Sequence, residues 1–216
     1  MFGVGRWMLD VSQRFRLSNC EIFAGILSQQ HAMKIKSISI LKHPRAEVWT
    51  TIRDRLPEVV PFIEDIESVT VQSREAAPDG VVRLVNVWRA KPKLPAIVNN
   101  YIKPEMLAWT DRAEYQAKKF ECAWRTEPHF FTERIKCSGV TRYEPALGGR
   151  GTKVTFEGDL ELSVHNLPGV PAIFESTLAR GLETFVTALI PKNFRNLIEA
   201  VGHLLDGRPA SSPAKG

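Results

Sequence analysis

Alternation of apolar and polar residues predicts a series of β-strands along the middle of the chain. Residues 34–41, KIKSISIL, alternate in this way and form the first predicted strand. The same pattern predicts six further strands, separated by short turn segments, at 67–75, 81–90, 107–117, 120–127, 130–143 and 152–164. Strands that follow one another through short turns pair as an antiparallel meander.

Apolar residues at helical spacing predict two short helices after the first strand and one long helix near the end. The short helices cover residues 45–56 and 57–66, and Pro57 ends the first and begins the second. The long helix covers residues 173–205, and Pro191 within it is expected to kink or break it. Its single apolar face has to pack on another element.

Neither end of the chain shows the pattern of the central part. Residues 1–32 lack the basic start and apolar core of a secretory signal, so a secretory signal is not expected. Because Met33 lies directly before the first strand pattern, residues 1–32 are predicted to be a leader or a disordered extension. An amphipathic helix that touches a membrane surface, or a transit peptide, are the alternatives for this segment. Residues 207–216 are a predicted disordered tail of Gly, Pro, Ser and Ala. The domain is therefore placed at residues 33–206.

Composition and charge exclude several classes of protein. A chain of 216 residues with 44% hydrophobic and 25% charged residues suits one globular domain. No apolar run approaches the roughly 18 residues of a membrane-spanning helix, although peripheral membrane contact stays possible. Of the formal charge of +5, residues 1–33 carry +1 and residues 207–216 carry +2. The domain itself is nearly balanced and has no basic stripe, so we expect no nucleic-acid partner.

The sequence contains no recognisable motif for catalysis or for cofactor binding. It has no nucleophile elbow, no P-loop and no dinucleotide-binding glycine motif. The five histidines are far apart and lack the spacing of metal ligands; they are His31, His43, His129, His165 and His203. We therefore predict no catalytic residues, no metal and no cofactor.

The three cysteines are too few and too scattered for a disulfide framework. If the hairpin turn is centred on residues 128–131, Cys122 and Cys137 lie directly opposite each other. In the cytoplasm, where we place this protein, both thiols are expected to stay reduced.

The order of predicted elements resembles the helix-grip fold of the START-like (SRPBCC) superfamily, which includes polyketide cyclases, pollen allergens and lipid-transfer domains. The resemblance covers about residues 34–205 and rests on this order, on KIKSISILKHPRAEVWTTIRD, and on GTKVTFEGDLEL before the last helix. The phrases LPAIVNNYI, AWTDRAEY, FECAWRTEPH and GVTRYEP are similar to a little-characterised bacterial branch of this superfamily. The resemblance to this superfamily implies an α+β fold. In this fold an antiparallel curved sheet of six to seven strands wraps around a long C-terminal helix, with two short helices after strand 1.

In that superfamily a cavity between sheet and helix binds a hydrophobic molecule or a lipid, and strand alternation indicates which residues would face it. The predicted lining comprises Leu84, Asn86, Trp88, Trp109, Asp111, Tyr115, Trp124, Ile135, Phe156, Phe174, Leu178 and Phe185. Asn86 and Asp111 are the candidate polar contacts in an otherwise apolar site. The alternatives are that the tryptophans are plain core and that Asp111 forms an ion pair with an arginine or is exposed at a strand edge.

Three functions fit this interpretation. The favoured one is a carrier or sensor, not an enzyme, whose partner is a hydrophobic small molecule or lipid. A second is a cyclase or hydratase that moves protons with Asp111, Tyr115 or an arginine. A third is a protein-interaction module of the same fold, with a solid core and an exposed apolar patch. The ligand's identity and the oligomeric state are left open.

Overall fold

The structure, a computed structural model, describes residues 33–91, 107–129, 132, 135–162 and 172–208. Within the C-terminal helix, the side chains of residues 172–179, 181–183, 185, 186 and 189 are not among those described. The predicted leader, residues 1–32, and all but the start of the predicted tail lie outside the described residues.

The elements follow the predicted order and confirm the α+β class. Strand β1 (Met33–Leu41) is followed by helices α1 (Arg45–Asp54) and α2 (Leu56–Val59) and a 3₁₀ turn (Val60–Phe62). The remaining strands are β2 (Ile66–Ala76), β3 (Val81–Ala90), β4 (Ala108–Gln116), β5 (Glu121–Pro128), β6 (Ile135–Ala146) and β7 (Gly151–Leu162). The last element is helix α3 (Ala172–Leu205). The seven strands form one antiparallel sheet in the order β1-β7-β6-β5-β4-β3-β2.

The hairpin of β5 and β6 departs from its predicted register. The pairing of Glu121 with Arg142 places the centre of the hairpin further along the chain than residues 128–131. Cys122 therefore lies opposite Thr141, and Cys137 lies opposite Thr126. The prediction that the two cysteines face each other is wrong. Both are buried free thiols, and they belong to separate clusters of the core.

Of the kink or break expected at Pro191, the break does not occur, because helix α3 continues from Ala172 to Leu205. The proline removes one backbone hydrogen bond from the helix. Apolar packing continues on both sides of it, because Ile190 and Phe194 contact the same core cluster. Among the described helices, α3 included, none combines the length and the low polarity needed to cross a membrane.

The core at one end of the sheet is built around Trp49 of α1. Its indole makes edge-to-face contacts with Tyr115, Phe120 and Tyr143, at centroid distances of 5.3, 5.4 and 5.1 Å. Val201 of α3 is fully buried in the same cluster. Each aromatic pair adds about 0.5–1.5 kcal/mol to the burial of its apolar surface, so these contacts hold α1 on the sheet, while Val201 packs α3 against the same cluster.

The outer face of the sheet carries ion pairs that run from strand to strand. Arg142 contacts Glu157 at 2.9 Å and Glu121 at 3.1 Å, and Arg83 contacts Glu114 at 3.2 Å. Exposed pairs of this kind contribute only about 0–1 kcal/mol each. These ion pairs identify the face of the sheet that is exposed to solvent. The opposite face is therefore the one that packs on the helices.

Candidate functional site

The register of β3, β4 and β5 arranges the predicted lining residues in rows across the inner face. In one row Trp88 lies opposite Trp109. In the next row Asn86 lies opposite Asp111, which in turn lies opposite Thr126. Both rows are near the end of the sheet where β3 and β5 end and β4 begins. The alternation in the sequence thus brings these side chains together as predicted, although contact with a ligand stays a prediction.

Asn86 and Asp111 form a polar pair inside this apolar surface. The Asn86 amide donates a hydrogen bond from Nδ2 to Oδ2 of Asp111, at 3.4 Å. Asn86 is fully buried, and within the described part of the chain its Oδ1 atom has no hydrogen-bond partner. A buried acceptor that lacks a partner costs about 1–3 kcal/mol. Native structures keep few such groups, and those they keep are often functional.

Burial also changes the acidity of Asp111. Desolvation raises the pKa of its carboxyl group to about 6, and the hydrogen bond from Asn86 opposes this change. The arginines beside it in the register, Arg112 and Arg125, lie on the outer face, where both bind Glu127. Among the described residues Asp111 forms no ion pair with an arginine, and β4 is not an edge strand, so neither alternative interpretation of Asp111 is borne out there.

Two tryptophans stack beside the polar pair. The rings of Trp88 and Trp109 are nearly parallel, with an interplanar angle of 4° and a centroid distance of 5.9 Å. Trp88 is buried, whereas Trp109 is half-buried. They provide a flat apolar surface immediately next to Asn86 and Asp111.

Trp124 of β5 belongs to a second aromatic stack, which joins the sheet to α3. Its indole lies 4.5 Å from the ring of Phe156, and Phe156 lies 4.3 Å from Phe194 of α3. The room for this indole comes from two glycines that face each other, Gly139 in β6 and Gly158 in β7. A Cβ atom on either glycine would come within 2.7 Å of the indole.

This support for Trp124 was not among the predicted site residues. The available signal was a glycine in the interior of each of two strands, which often marks a close approach of another group. The indole Nε1 of Trp124 is buried and lacks a hydrogen-bond partner among the described residues. It is thus a second polar atom on the inner face whose hydrogen-bonding capacity is not used.

Of the other predicted lining residues, three pack in or on the described core and three have side chains that are not described. Leu84 and Tyr115 are buried in the core cluster that contains Trp49. Burial also raises the pKa of the Tyr115 hydroxyl well above its ordinary value, so it stays neutral. Ile135 packs on the cluster that contains Trp124. The remaining three side chains lie outside the described residues: Phe174, Leu178 and Phe185.

Comparison with known proteins finds similarity in structure only. No family model matches the sequence, and no curated protein matches it. The crystal structure of TTHA0849 from Thermus thermophilus is 19% identical, with a TM-score of 0.55, over 78% of this chain and 97% of that one. The Zhui aromatase/cyclase from Streptomyces sp. R1128 is 16% identical, with a TM-score of 0.57, over 86% of this chain and 99% of that one.

A third similar structure is the di-domain ARO/CYC BexL from the BE-7585A biosynthetic pathway. It is 13% identical, with a TM-score of 0.57, and the match covers 93% of this chain and 59% of that one. At these identities the likeness establishes the fold alone. The chain has the helix-grip fold, as the order of its predicted elements indicated.

Proposed function

We propose that this helix-grip domain binds a hydrophobic small molecule or a lipid between the inner face of the sheet and helix α3. The observation that supports this most strongly is the polar pair of Asn86 and Asp111 within an aromatic surface. Binding sites for small molecules are mostly apolar and contain a few polar groups that orient the ligand.

The burial of successive rows supports the same proposal. In the row of Leu84 and Ala113, the side chains are buried, as expected where the core is closely packed. In the next two rows, Asp111, Thr126 and Trp109 are half-buried, whereas Asn86 and Trp88 are buried. In these rows the part of the inner face that β4 and β5 form is thus covered less completely than the part that β3 forms, which agrees with a ligand site beside the polar pair.

A fluorescence titration tests this proposal with N-phenyl-1-naphthylamine, an uncharged apolar probe whose emission rises in apolar surroundings. We expect saturable binding of about one probe for each chain, since the proposal places one ligand site between the sheet and helix α3. Thr126→Phe adds a ring on the inner face beside Asp111 and should weaken binding at least tenfold. Thr70→Phe makes the same change at an exposed position of β2 and is the matched control.

Two results would contradict the proposal. One is that the wild-type protein fails to bind the probe at any concentration up to its solubility limit. The other is that Thr126→Phe and Thr70→Phe bind it equally well, because the probe would then occupy a surface other than the inner face. Circular dichroism spectra of both variants establish that each is folded.

A second candidate function is proton-transfer catalysis in the same site. It is favoured by the Asp111 carboxyl, whose pKa of about 6 suits a general acid or base near neutral pH. Two of the similar solved structures are described as aromatase/cyclases, which agrees with this candidate. Deuterium exchange at the central carbon of 1-phenyl-1,3-butanedione, followed by NMR, provides the test. Exchange should be faster with the wild-type protein than with Asp111→Asn, and equal rates would contradict catalysis by this carboxyl.

A further inference from the structure

The two edges of the sheet differ in how they are protected against pairing with another strand. Strand β2 forms one edge, and two irregularities interrupt its register with β3, between Ile66 and Ser68 and between Val71 and Ser73. Bulges of this kind twist an edge and keep sheets from joining. Strand β1 forms the other edge, and its register with β7 is unbroken over all nine of its residues. The β1 edge is therefore the one that suits the addition of a further strand.

Within the part of the chain that the structure describes, the backbone of β1 forms hydrogen bonds with β7 alone. Alternate residues of an edge strand direct both their N–H and their C=O groups away from the sheet, so about four residues of β1 present both groups at the edge. Helix α3 packs on the inner side chains of this strand, where Thr187 lies 3.4 Å from the sulfur of Met33 and Gly202 lies against Leu41.

The outer face of β1 divides into a basic half and an apolar half. Lys34 and Lys36 occupy the first half, and each forms an ion pair with an acid of β7 at 2.5 Å. Ile38 and Ile40 occupy the second half, with 49% and 61% of their surface exposed. Lysine protects an edge strand from pairing, whereas exposed apolar residues on a regular edge favour it.

This division makes β1 complementary to a second copy of itself in the antiparallel direction. If two β1 strands pair about a two-fold axis at Ser37, Lys34 faces Ile40 of the second copy. In the same register Lys36 faces Ile38 of the second copy. The methylene stems of the lysines then cover the isoleucines, while the ammonium groups keep their acids on β7. An in-register parallel pair would instead set each lysine beside the same lysine of the second copy, which is unfavourable.

The inner face of β1 agrees with the same register. Its residues alternate with the lysines and isoleucines and carry no charge. Pairing about Ser37 places Met33 opposite Leu41 of the second copy, so that two apolar side chains meet at each end of the strand pair.

We propose that this chain self-associates through β1, so that the seven-stranded sheets of two copies join into one continuous antiparallel sheet with its two-fold axis at Ser37. The interface is separate from the proposed ligand site, because β7 and β6 lie between β1 and β5. Interfaces below about 1,200 Å² are usually weak, and a single pair of strands belongs to this class. We therefore expect a dimer that forms at micromolar concentrations of the protein.

Sedimentation equilibrium of the full-length protein, from about 1 to about 200 μM, measures this association. The mass should rise with concentration from the 24.3 kDa of one chain towards twice that value. Ile38→Lys places a lysine opposite Lys36 of the second copy, twice in each dimer, and should raise the dissociation constant about tenfold. Val71→Lys replaces an exposed apolar residue on the β2 edge and is the matched control, which should change the dissociation constant less than about twofold.

Ile38→Glu tests the register, because a glutamate at this position faces Lys36 of the second copy and gains an opposite charge. It should associate within about threefold of the wild type. If Ile38→Glu and Ile38→Lys weaken the dimer equally, the register about Ser37 is overturned. Self-association through β1 is overturned if the wild type keeps the mass of one chain at the highest concentration, or if Ile38→Lys and Val71→Lys associate alike. Neither result bears on binding of the apolar probe, which tests the proposed function separately.

Discussion

Replacing Asp111 with asparagine should stabilise the protein at neutral pH and have a much smaller effect in acid. Burial raises the pKa of this carboxyl from 3.8 to about 6, which means that the folded state disfavours its charged form. At about 1.4 kcal/mol for each pKa unit, the full penalty is ~3 kcal/mol. The amide of asparagine has a similar shape and carries no charge, so the variant does not incur this penalty.

The sign of the pH dependence follows from proton binding. Between the unfolded pKa of 3.8 and the folded pKa of about 6, the folded protein holds the Asp111 proton more tightly than the unfolded chain does. The contribution of this group to stability is therefore greatest below pH 3.8 and declines as the pH rises to 6. The free energy of unfolding of Asp111→Asn, minus that of the wild type, should increase by about 2 kcal/mol between pH 4 and pH 8.

Urea denaturation of both proteins at a series of pH values, followed by circular dichroism, measures this difference. Glu67→Gln removes an exposed carboxylate from β2 and is the matched control for the loss of a carboxylate from the surface of the sheet. If the difference for Asp111→Asn is constant from pH 4 to pH 8, the carboxyl group is not desolvated in the folded protein. The reasoning about the polar pair would then be refuted.

Two further predictions concern the packing around the site. Gly139→Ala should lower the free energy of unfolding by about 3 kcal/mol, because its Cβ would clash with the backbone oxygen of Glu157 and lie 2.6 Å from the indole of Trp124. Gly202→Ala, whose Cβ meets only a side-chain methyl at 3.2 Å, should be nearly neutral. Equal unfolding curves for these two variants would show that neither the β7 backbone nor the indole packs against the glycine. Cys122 and Cys137 should react with iodoacetamide at pH 8 far more slowly in the native protein than in urea, since burial raises the pKa of Cys137 to about 12 and that of Cys122 also. Peptide mass spectrometry measures both thiols, and rapid native alkylation would contradict their burial.

The alternation of residues was sufficient to predict the strands and to select their inner face. Trp88 and Asn86 differ by two positions, as do Trp109 and Asp111, so each pair shares a face wherever the strands begin. The register between β3 and β4 could not be predicted, because a long connection does not fix which residues of the two strands pair. The pairing of Asn86 with Asp111 is therefore known only from the structure.

Two errors in the sequence analysis have a common physical origin. The register of the β5–β6 hairpin and the continuity of α3 through Pro191 both depend on packing with distant residues rather than on local pattern. The local pattern predicts a hairpin centred on residues 128–131, but the pairing of β5 with β6 places its centre further along the chain. A proline disfavours a helix locally, but the packed residues on either side of it keep α3 continuous. The stack of Trp124 on two glycines likewise requires knowledge of three paired strands.

The most direct test of binding at the inner face is NMR of the indole N–H groups during titration with N-phenyl-1-naphthylamine. The account predicts large shifts for Trp109 and Trp124, which border the polar pair, and small shifts for Trp49, which is buried among Tyr115 and Tyr143. Single Trp→Phe variants assign the signals. If the indole signals of Trp109 and Trp124 do not shift while the protein still binds the probe, the result contradicts a ligand site between the sheet and helix α3.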